Sequence, residues 1–408
     1  MAFFSRRRAL LTSLVVPVAS AWAQRPAPTW RVQVVDQPEP VLQLRAAETD
    51  GWLMVGAGGG LRWLRPPAAP LRLAQGIDPG TPVAAAHGRV VARRANGGLW
   101  VAQQGGLAAP SDVVLSAAAG CTVLPLGVIA VEASGGKTHL VRAEPDARGA
   151  WRVTARSHEP VLPDAQPLQV ALENGGGGSG GDGGHIAVLA GADAGRYKHG
   201  VLGDAIEATR VLYLERHDLT PLRKLSLPAP HVFEDNRLRA WNTETGLLLV
   251  TVRSGPQGAQ LAAIEADRSR AGALRVAALG EPIGTAHRWM APSTHGRHLL
   301  CVHTPHLSGA LHGYRREGAR LVSSPIAQGL SNHAIGSHEL DASAWLGSRF
   351  VLADLARRRL RCIDAQTQQE LTPLELPSPL RALAADAQGR SIAVALGDGS
   401  LWLLSPAA

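Results

Sequence analysis

Gly389–Leu396 reads GRSIAVAL, and after the turn at 397–400 the chain continues as Leu401–Leu404, LWLL. A glycine, a short apolar strand, a turn and a second short strand describe a β-hairpin. The pattern recurs upstream as GWLMVGA from Gly51, GRVVARR from Gly88, GVIAVEA from Gly127 and GHIAVLA from Gly184. It recurs again as GLLLVTV from Gly246, GRHLLCV from Gly296 and GSRFVLA from Gly347. The intervals between these glycines are 37, 39, 57, 62, 50, 51 and 42 residues. Second strands follow at Leu61–Leu64, Leu99–Val101, His139–Ala143, Val211–Leu214, Leu261–Ile264, Leu311–Tyr314 and Leu360–Ile363. Period-two alternation pervades the chain and helical periodicity is nearly absent.

Flanking segments complete each unit. Val41–Ala47, Pro82–Ala86 and Leu380–Ala385 read as inner strands, and Leu71–Gln75, Leu222–Leu227 and Glu370–Leu376 as outer ones. Units of about 40–50 residues with four strands each predict an all-β, eight-bladed β-propeller, seven blades being the alternative count. A large β-sandwich or a pair of β domains is the competing architecture. The last unit lacks an outer strand, whereas Trp30–Val35 (WRVQVV) has no unit of its own. That strand is therefore expected to complete the last blade and close the ring.

At 408 residues the chain exceeds the ~250–300 at which one ordinary core stops growing, which suits radial repetition. With 45% hydrophobic residues it is too apolar for a disordered chain, and three cysteines exclude a disulfide scaffold. Cys121, Cys301 and Cys362 are expected as buried free thiols. Trp63, Trp100 and Trp402 fall in second strands and are expected to pack between blades.

Met1–Ala23 reads as a signal peptide: a cationic start, the apolar stretch Ala9–Val18, and a small-x-small exit at Ala21-Trp22-Ala23. Cleavage after Ala21 fits the same rule. The apolar run is about half the length needed to span a bilayer. Export to the periplasm and a mature chain 24–408 without a membrane span are the expectation. Its removal takes Arg6, Arg7 and Arg8, so the formal charge falls from +8 to +5. No basic run interleaved with aromatics follows, and nucleic acid is not expected as a partner.

Two segments interrupt the repeat: a glycine-rich loop at 173–184 (ENGGGGSGGDGG) and a hairpin insertion at 191–208 (GADAGRYKHGVLGDAIEA). Gly177–Gly181 formally matches G-x-S-x-G, but that elbow needs a strand before and a helix after its serine. His338-Glu339 opens like H-E-x-x-H, with Ala342 where the second histidine would stand. No catalytic residue is assigned.

Histidines carry the chemical signal. Fifteen occur, and eight lie within 287–338. In a propeller, loops from outer to next inner strand and loops within middle hairpins open onto one face. Tyr197 and His199 fall in the insertion, and His231, Glu234 and Asp235 lead into the fifth inner strand. His287 and Arg288 lead into the sixth, His303 and His306 occupy its hairpin, and Asn332, His333, His338 and Glu339 lead into the seventh. These residues are expected around one mouth, with His295 and His298 at the other face. Such a mouth suits a ligand site. It would hold a transition metal or cofactor on neutral imidazoles, or an anion on Arg288 and Arg196. The alternative is that each histidine serves its own loop or is solvated. Glu234 and Asp235, adjacent in sequence, are not expected to act as a catalytic pair.

Two short motifs carry a family resemblance. Asp364-Ala365-Gln366-Thr367 resembles the D-x-x-T turn common after a blade's third strand, and through its hairpins nearly the whole mature chain resembles bacterial YVTN/quinoprotein-type β-propellers. Ser331–Leu340 (SNHAIGSHEL) is similar to the S-H-G-I-G-P-H-E-L segment of twin-arginine-exported propellers, with Asn332 in place of His and Ser337 in place of Pro. Ser5–Leu11 (SRRRALL) likewise resembles a twin-arginine signal, with Ala9 at the usual Phe; general secretion is the other route. With no nucleophile–base motif in the chain, a binding or scaffold module for a protein or small ligand, acting through the histidine-bearing face, is the expectation. A metal- or cofactor-dependent periplasmic oxidoreductase is the alternative. The resemblance implies no catalytic residue, cofactor or oligomeric state.

Overall fold

The computed structural model describes residues 30–103, 108–172 and 184–407. The expected signal peptide 1–23, the G-x-S-x-G match and all but the last residue of the glycine-rich loop lie outside them. Among the described residues the structure is built of β-strands and one 3-10 turn, Gly200–Leu202. Among the described residues no helix is long and apolar enough to cross a membrane.

Each glycine-led pattern forms an antiparallel hairpin with the segment after it. Trp52–Gly56 pairs with Leu61–Leu64, and Ile392–Leu396 with Leu401–Pro406. At Gly51, φ is +74° and a Cβ would lie 1.9 Å from the Leu64 carbonyl oxygen, so only glycine fits at the start of that strand. Trp52–Gly56 and Ile392–Leu396 are buried at every residue. A strand whose two faces are both covered needs a continuous apolar run, not alternation. Outer strands alternate instead: along Trp151–Pro160 every second side chain is exposed or nearly so.

The hydrogen-bonded sheets follow chain order. Val41–Ala46, Trp52–Gly56, Leu61–Leu64 and Leu71–Ala74 make the first. Ala84–Ala86, Arg89–Arg93 and Leu99–Gln103 make a three-stranded second, and Cys121–Leu124 to Trp151–Pro160 a four-stranded third. Residues 168–327 then form one continuous thirteen-stranded ladder. Within it, three four-stranded meanders are joined by Val232–Phe233 and by a parallel contact between Leu274–Gly280 and Arg320–Ala327. In the sheet that follows, the outer segment expected at 370–376 is two separate pairs, Gln369–Glu370 and Leu374–Glu375. The aspartate of the D-x-x-T turn accepts from the Gln366 and Thr367 amides at 2.8 and 3.0 Å.

In the last sheet, Leu380–Ala385, Ile392–Leu396 and Leu401–Pro406 are followed at the edge by Trp30–Val35, with Trp30 opposite Pro406 and Val35 opposite Leu401. Apolar clusters fill the space between successive sheets. One packs Leu44, Trp52 and Met54 of the first sheet on Ala393, Ala395 and Leu401 of the last. The Trp52 indole also donates to the Ala384 carbonyl at 2.9 Å. Trp63 and Trp100 share one such cluster between the first and second sheets, and Trp402 borders another. All three cysteines are free. Burial pushes the thiols of Cys121 and Cys362 up to about 12.

Trp30 is 8% exposed and packs with the core of the last two sheets, whereas Val34, on the same strand, is 61% exposed. Trp30→Ala is expected to cost about 3–5 kcal/mol of unfolding free energy. Val34→Ala is expected to cost less than about 0.5 kcal/mol. Denaturant midpoints of the two variants check this.

Candidate functional site

The insertion is shorter than its sequence suggests, because the ladder continues into it. His185–Asp193 and Glu207–Leu214 remain paired as far as Asp193 and Glu207, leaving an excursion at 194–206. Asp193 starts it, accepting from the Gly195 and Arg196 amides at 2.8 and 2.9 Å and pairing with the Arg196 guanidinium at 3.0 Å. The excursion then folds onto residues 331–341. Leu202 is buried in a core cluster with Trp289, Leu330 and Leu340. The Val201 carbonyl accepts from the Gly336 amide at 2.9 Å. Gly203 (φ +106°) lies under the His338 ring, where a Cβ would come within 2.7 Å of it.

Three groups of the expected residues meet around this contact. In the first, His199 Nδ1 bonds a Glu234 carboxylate oxygen and the Ser254 hydroxyl donates to the other. Tyr197 stacks on His287 with ring centroids 4.8 Å apart, and its hydroxyl accepts from the His287 amide at 2.6 Å. In the second, His333 Nδ1 and His306 Nε2 are 2.9 Å apart, and His333 Nε2 donates to the Ser337 carbonyl at 2.8 Å. In the third, His338 Nδ1 lies 3.1 Å from an Asp164 oxygen. Asn236 donates to that oxygen at 3.2 Å and to the His338 carbonyl at 2.9 Å.

Other expected residues stand apart. His303 does not face this mouth: its ring stacks on His312 at 4.0 Å and bonds the Tyr314 hydroxyl at 2.7 Å. It sits at a strand end, where pairing turns the ring onto the neighbouring strand. Asp235 is buried against Arg239 (2.6 Å) and Thr251 (3.2 Å), so it and Glu234 serve different partners. Asn332 is buried and donates to Asp341 at 2.9 Å. His231 has a buried Nδ1 without a partner among the described residues, and the Arg288 side chain donates to the His287 carbonyl at 3.1 Å. With Arg196 committed to Asp193, the two arginines do not converge on an anion site. His295 and His298 stack on Trp345, at 5.3 and 5.9 Å.

Glu339 ties distant segments together. Its carboxylate takes Arg237 at 2.9 Å on one oxygen and Arg45 on the other. Burial works against its charge, but Arg45 and Arg237 hold its pKa at about 2. Cavities of about 530 and 290 Å³ share Arg45, Glu339 and Asp341 in their walls; His295 lines the larger and His338 the smaller.

Glu207, Asp164, Asp204, Arg45 and Arg237 were not among the expected site residues. Glu207 is 3% exposed and has no hydrogen-bond donor among the described residues. Burial, then the charges of Glu234, Asp204, Asp164 and Asp235, raise its pKa well above the usual carboxylate range. Burial likewise pushes the Tyr197 hydroxyl up to about 12. Asp164 lies in the same class of loop as His231 and His287, and that loop class is the signal in the sequence for its position.

No family model and no curated protein matches this chain. Solved structures do. BamB from Moraxella catarrhalis aligns at TM-score 0.54 and 12% identity, covering 92% of this chain and 96% of that one. Sqt1 from Saccharomyces cerevisiae aligns at 0.56 and 11%, covering 92% and 98%. The C-terminal WD40 domain of Sif2 aligns at 0.56 and 10%, covering 92% and 99%. The fold is a β-propeller. At this identity the likeness speaks for the propeller fold alone, and the chemistry of the mouth has to be argued from its residues.

Burial lowers the pKa of His303 to about 3 and of His333 to about 4. Both rings are neutral in the fold near pH 7, whereas an unfolded histidine takes its proton near 6.5. Stability is therefore complete above about 6.5 and falls as pH drops toward 3–4, by at most about 1.4 kcal/mol per pH unit for each ring. Unfolding midpoints measured from pH 7.5 to 4 should show this decline, and His303→Gln should flatten it.

Proposed function

We propose that this protein is an exported, eight-bladed propeller, closed by its own N-terminal strand, that binds a partner protein through the face carrying 194–206 and 331–341. Eight glycine-led hairpins, the pairing of Trp30–Val35 with Leu401–Pro406 and the packing of the first sheet on the last support the blade count and closure. A ring without free sheet edges can spend its loops on recognition.

One observation carries the binding role. The hairpin turn holding His306 and the segment holding His333 are joined by the bond between those rings, and each exposes a large apolar side chain beside it: Leu307 at 60% and Ile335 at 72%. Exposed apolar groups rimmed by polar ones are what a protein interface covers. The mature chain immobilised against an extract of its own periplasm should retain a partner. Leu307→Asp with Ile335→Asp should release it, while Leu126→Asp, at a distant exposed turn, should not. Equal retention by all three proteins would refute the assignment of this face.

Export rests on the three-part Met1–Ala23 segment. A reporter fused to residues 1–35 should accumulate outside the cytoplasm, and the mature protein should begin at Gln24, or at Trp22 from the alternative site. Mass spectrometry of the secreted chain reads this directly; an intact Met1 on cytoplasmic protein would defeat it.

A further inference from the structure

We infer that Asp164, Asp204 and His338 form a binding site for one first-row divalent metal ion, which pins the excursion at 194–206 to the segment at 331–341. This goes beyond the partner-binding reading and does not depend on it.

The geometry is that of a ligand set. One donor atom from each of the three residues lies within 4.8 Å of the other two. The 3.1 Å between His338 Nδ1 and the Asp164 oxygen is close to the ~3.3 Å edge of a coordination tetrahedron built from ~2.0–2.1 Å bonds. The ligands also come from separate places: Asp164 from the link between Trp151–Pro160 and Leu168–Val170, Asp204 from the excursion, His338 from the segment before Ala344–Leu346. An ion there cross-links three parts of the chain.

Supporting contacts already orient the donors. Asn236 holds both Asp164 and the backbone of His338, and the Ile206 amide donates to Asp204 at 2.8 Å. Hydrogen bonds from behind are what fix metal ligands. Gly203 leaves room for the His338 ring to lie against the excursion. His338 also lines the 290 Å³ cavity, which gives an ion a route in.

An independent observation is the missing counter-charge. Asp235 has Arg239, and Glu234 has His199 and Ser254. Glu207, three residues after Asp204, is buried beside these acids with no donor at all among the described residues. Buried carboxylates are paired, protonated or bound to a metal. No side-chain base pairs with Glu207 among the described residues, and a cation at Asp164 and Asp204 would offset the negative charge that these two acids and Glu234 crowd around it.

Donor chemistry narrows the ion. Ca²⁺ and Mg²⁺ take oxygen ligands, and Cu(I) takes thiolate or thioether. Two carboxylates with one imidazole suit Zn²⁺ or Mn²⁺, with the remaining positions left to water or a partner's ligand.

The test is calorimetric titration of chelator-stripped, tag-free mature protein with ZnCl2 and, separately, MnCl2. One of the two should bind at one ion per chain. Asp204→Asn and His338→Gln should each abolish that isotherm, Asn236→Ala should weaken it roughly tenfold to a hundredfold, and His306→Gln should leave it intact. Asp204→Asn keeps an oxygen for the Ile206 amide, so its metal-free unfolding midpoint should match the wild type; that variant decides the question if His338→Gln fails to fold. Absence of saturable one-to-one binding by either ion, or wild-type affinity in Asp204→Asn, would overturn the assignment.

Discussion

One carboxylate, that of Glu339, joins parts of the chain that no strand ladder connects. Arg45 belongs to the innermost strand of the first sheet and stands 294 positions away, while Arg237 leads into a meander of the thirteen-stranded ladder. Ion pairs at an exposed surface contribute little, but removing one partner of a desolvated pair leaves charge with no solvent to accept it. Glu339 sits between these limits, in the common wall of two cavities. Asp341 lines the same two cavities, so the guanidiniums of Arg45 and Arg237 face two carboxylates there. The two contacts of Glu339 anchor the 331–341 segment beside Arg45 and Arg237.

The sheets around this contact owe their composition to being covered on both faces. Strands such as Ile392–Leu396 meet one neighbouring sheet with Ile392 and Val394 and the other with Ala393 and Ala395. Alternation thus persists in the residues while burial is uniform, with larger side chains on one side and alanines on the other. Alanine permits close approach of twisted sheets, which explains how a chain so rich in Ala and Gly builds a well-filled interior. Successive apolar clusters then hold the sheets in sequence, and the strand at Trp30–Val35 adds a pairing between the two ends of the described chain.

Much of this was legible in the residues. Hairpins announce themselves by a glycine and an apolar run, and both signals are local. The role of Trp30–Val35 was readable from a deficit, since the last unit had no outer strand. Outer strands were less legible: Glu370–Leu376 faces solvent on one side and breaks into two short pairs, which no hydrophobic pattern enforces. For the site, loop class grouped the residues expected near one mouth, and the His199, His333 and His338 groups meet around the contact of 194–206 with 331–341. Which of them would pair was hidden, and Asp164, the partner of His338, was not among them, because partners are chosen across space. Asp164 and His338 are 174 positions apart, and nothing in either neighbourhood names the other. His303 failed for a different reason: at a strand end, one step of alternation decides between the mouth and the neighbouring strand.

The acids at the mouth run against the charge of the whole chain, which carries 41 Lys and Arg to 33 Asp and Glu. That local reversal comes from the departure from the repeat. Asp204 sits on the returning leg of the excursion and Glu207 begins the strand after it, which sets them beside Asp164 and Glu234. A plain hairpin at this position would end near Asp193 and leave the histidines facing open solvent. The excursion instead buries Leu202 among Trp289 and Leu340, and that apolar anchor offsets the cost of setting like charges side by side. Stability from one small core contact thereby offsets an electrostatic arrangement that folding alone would disfavour.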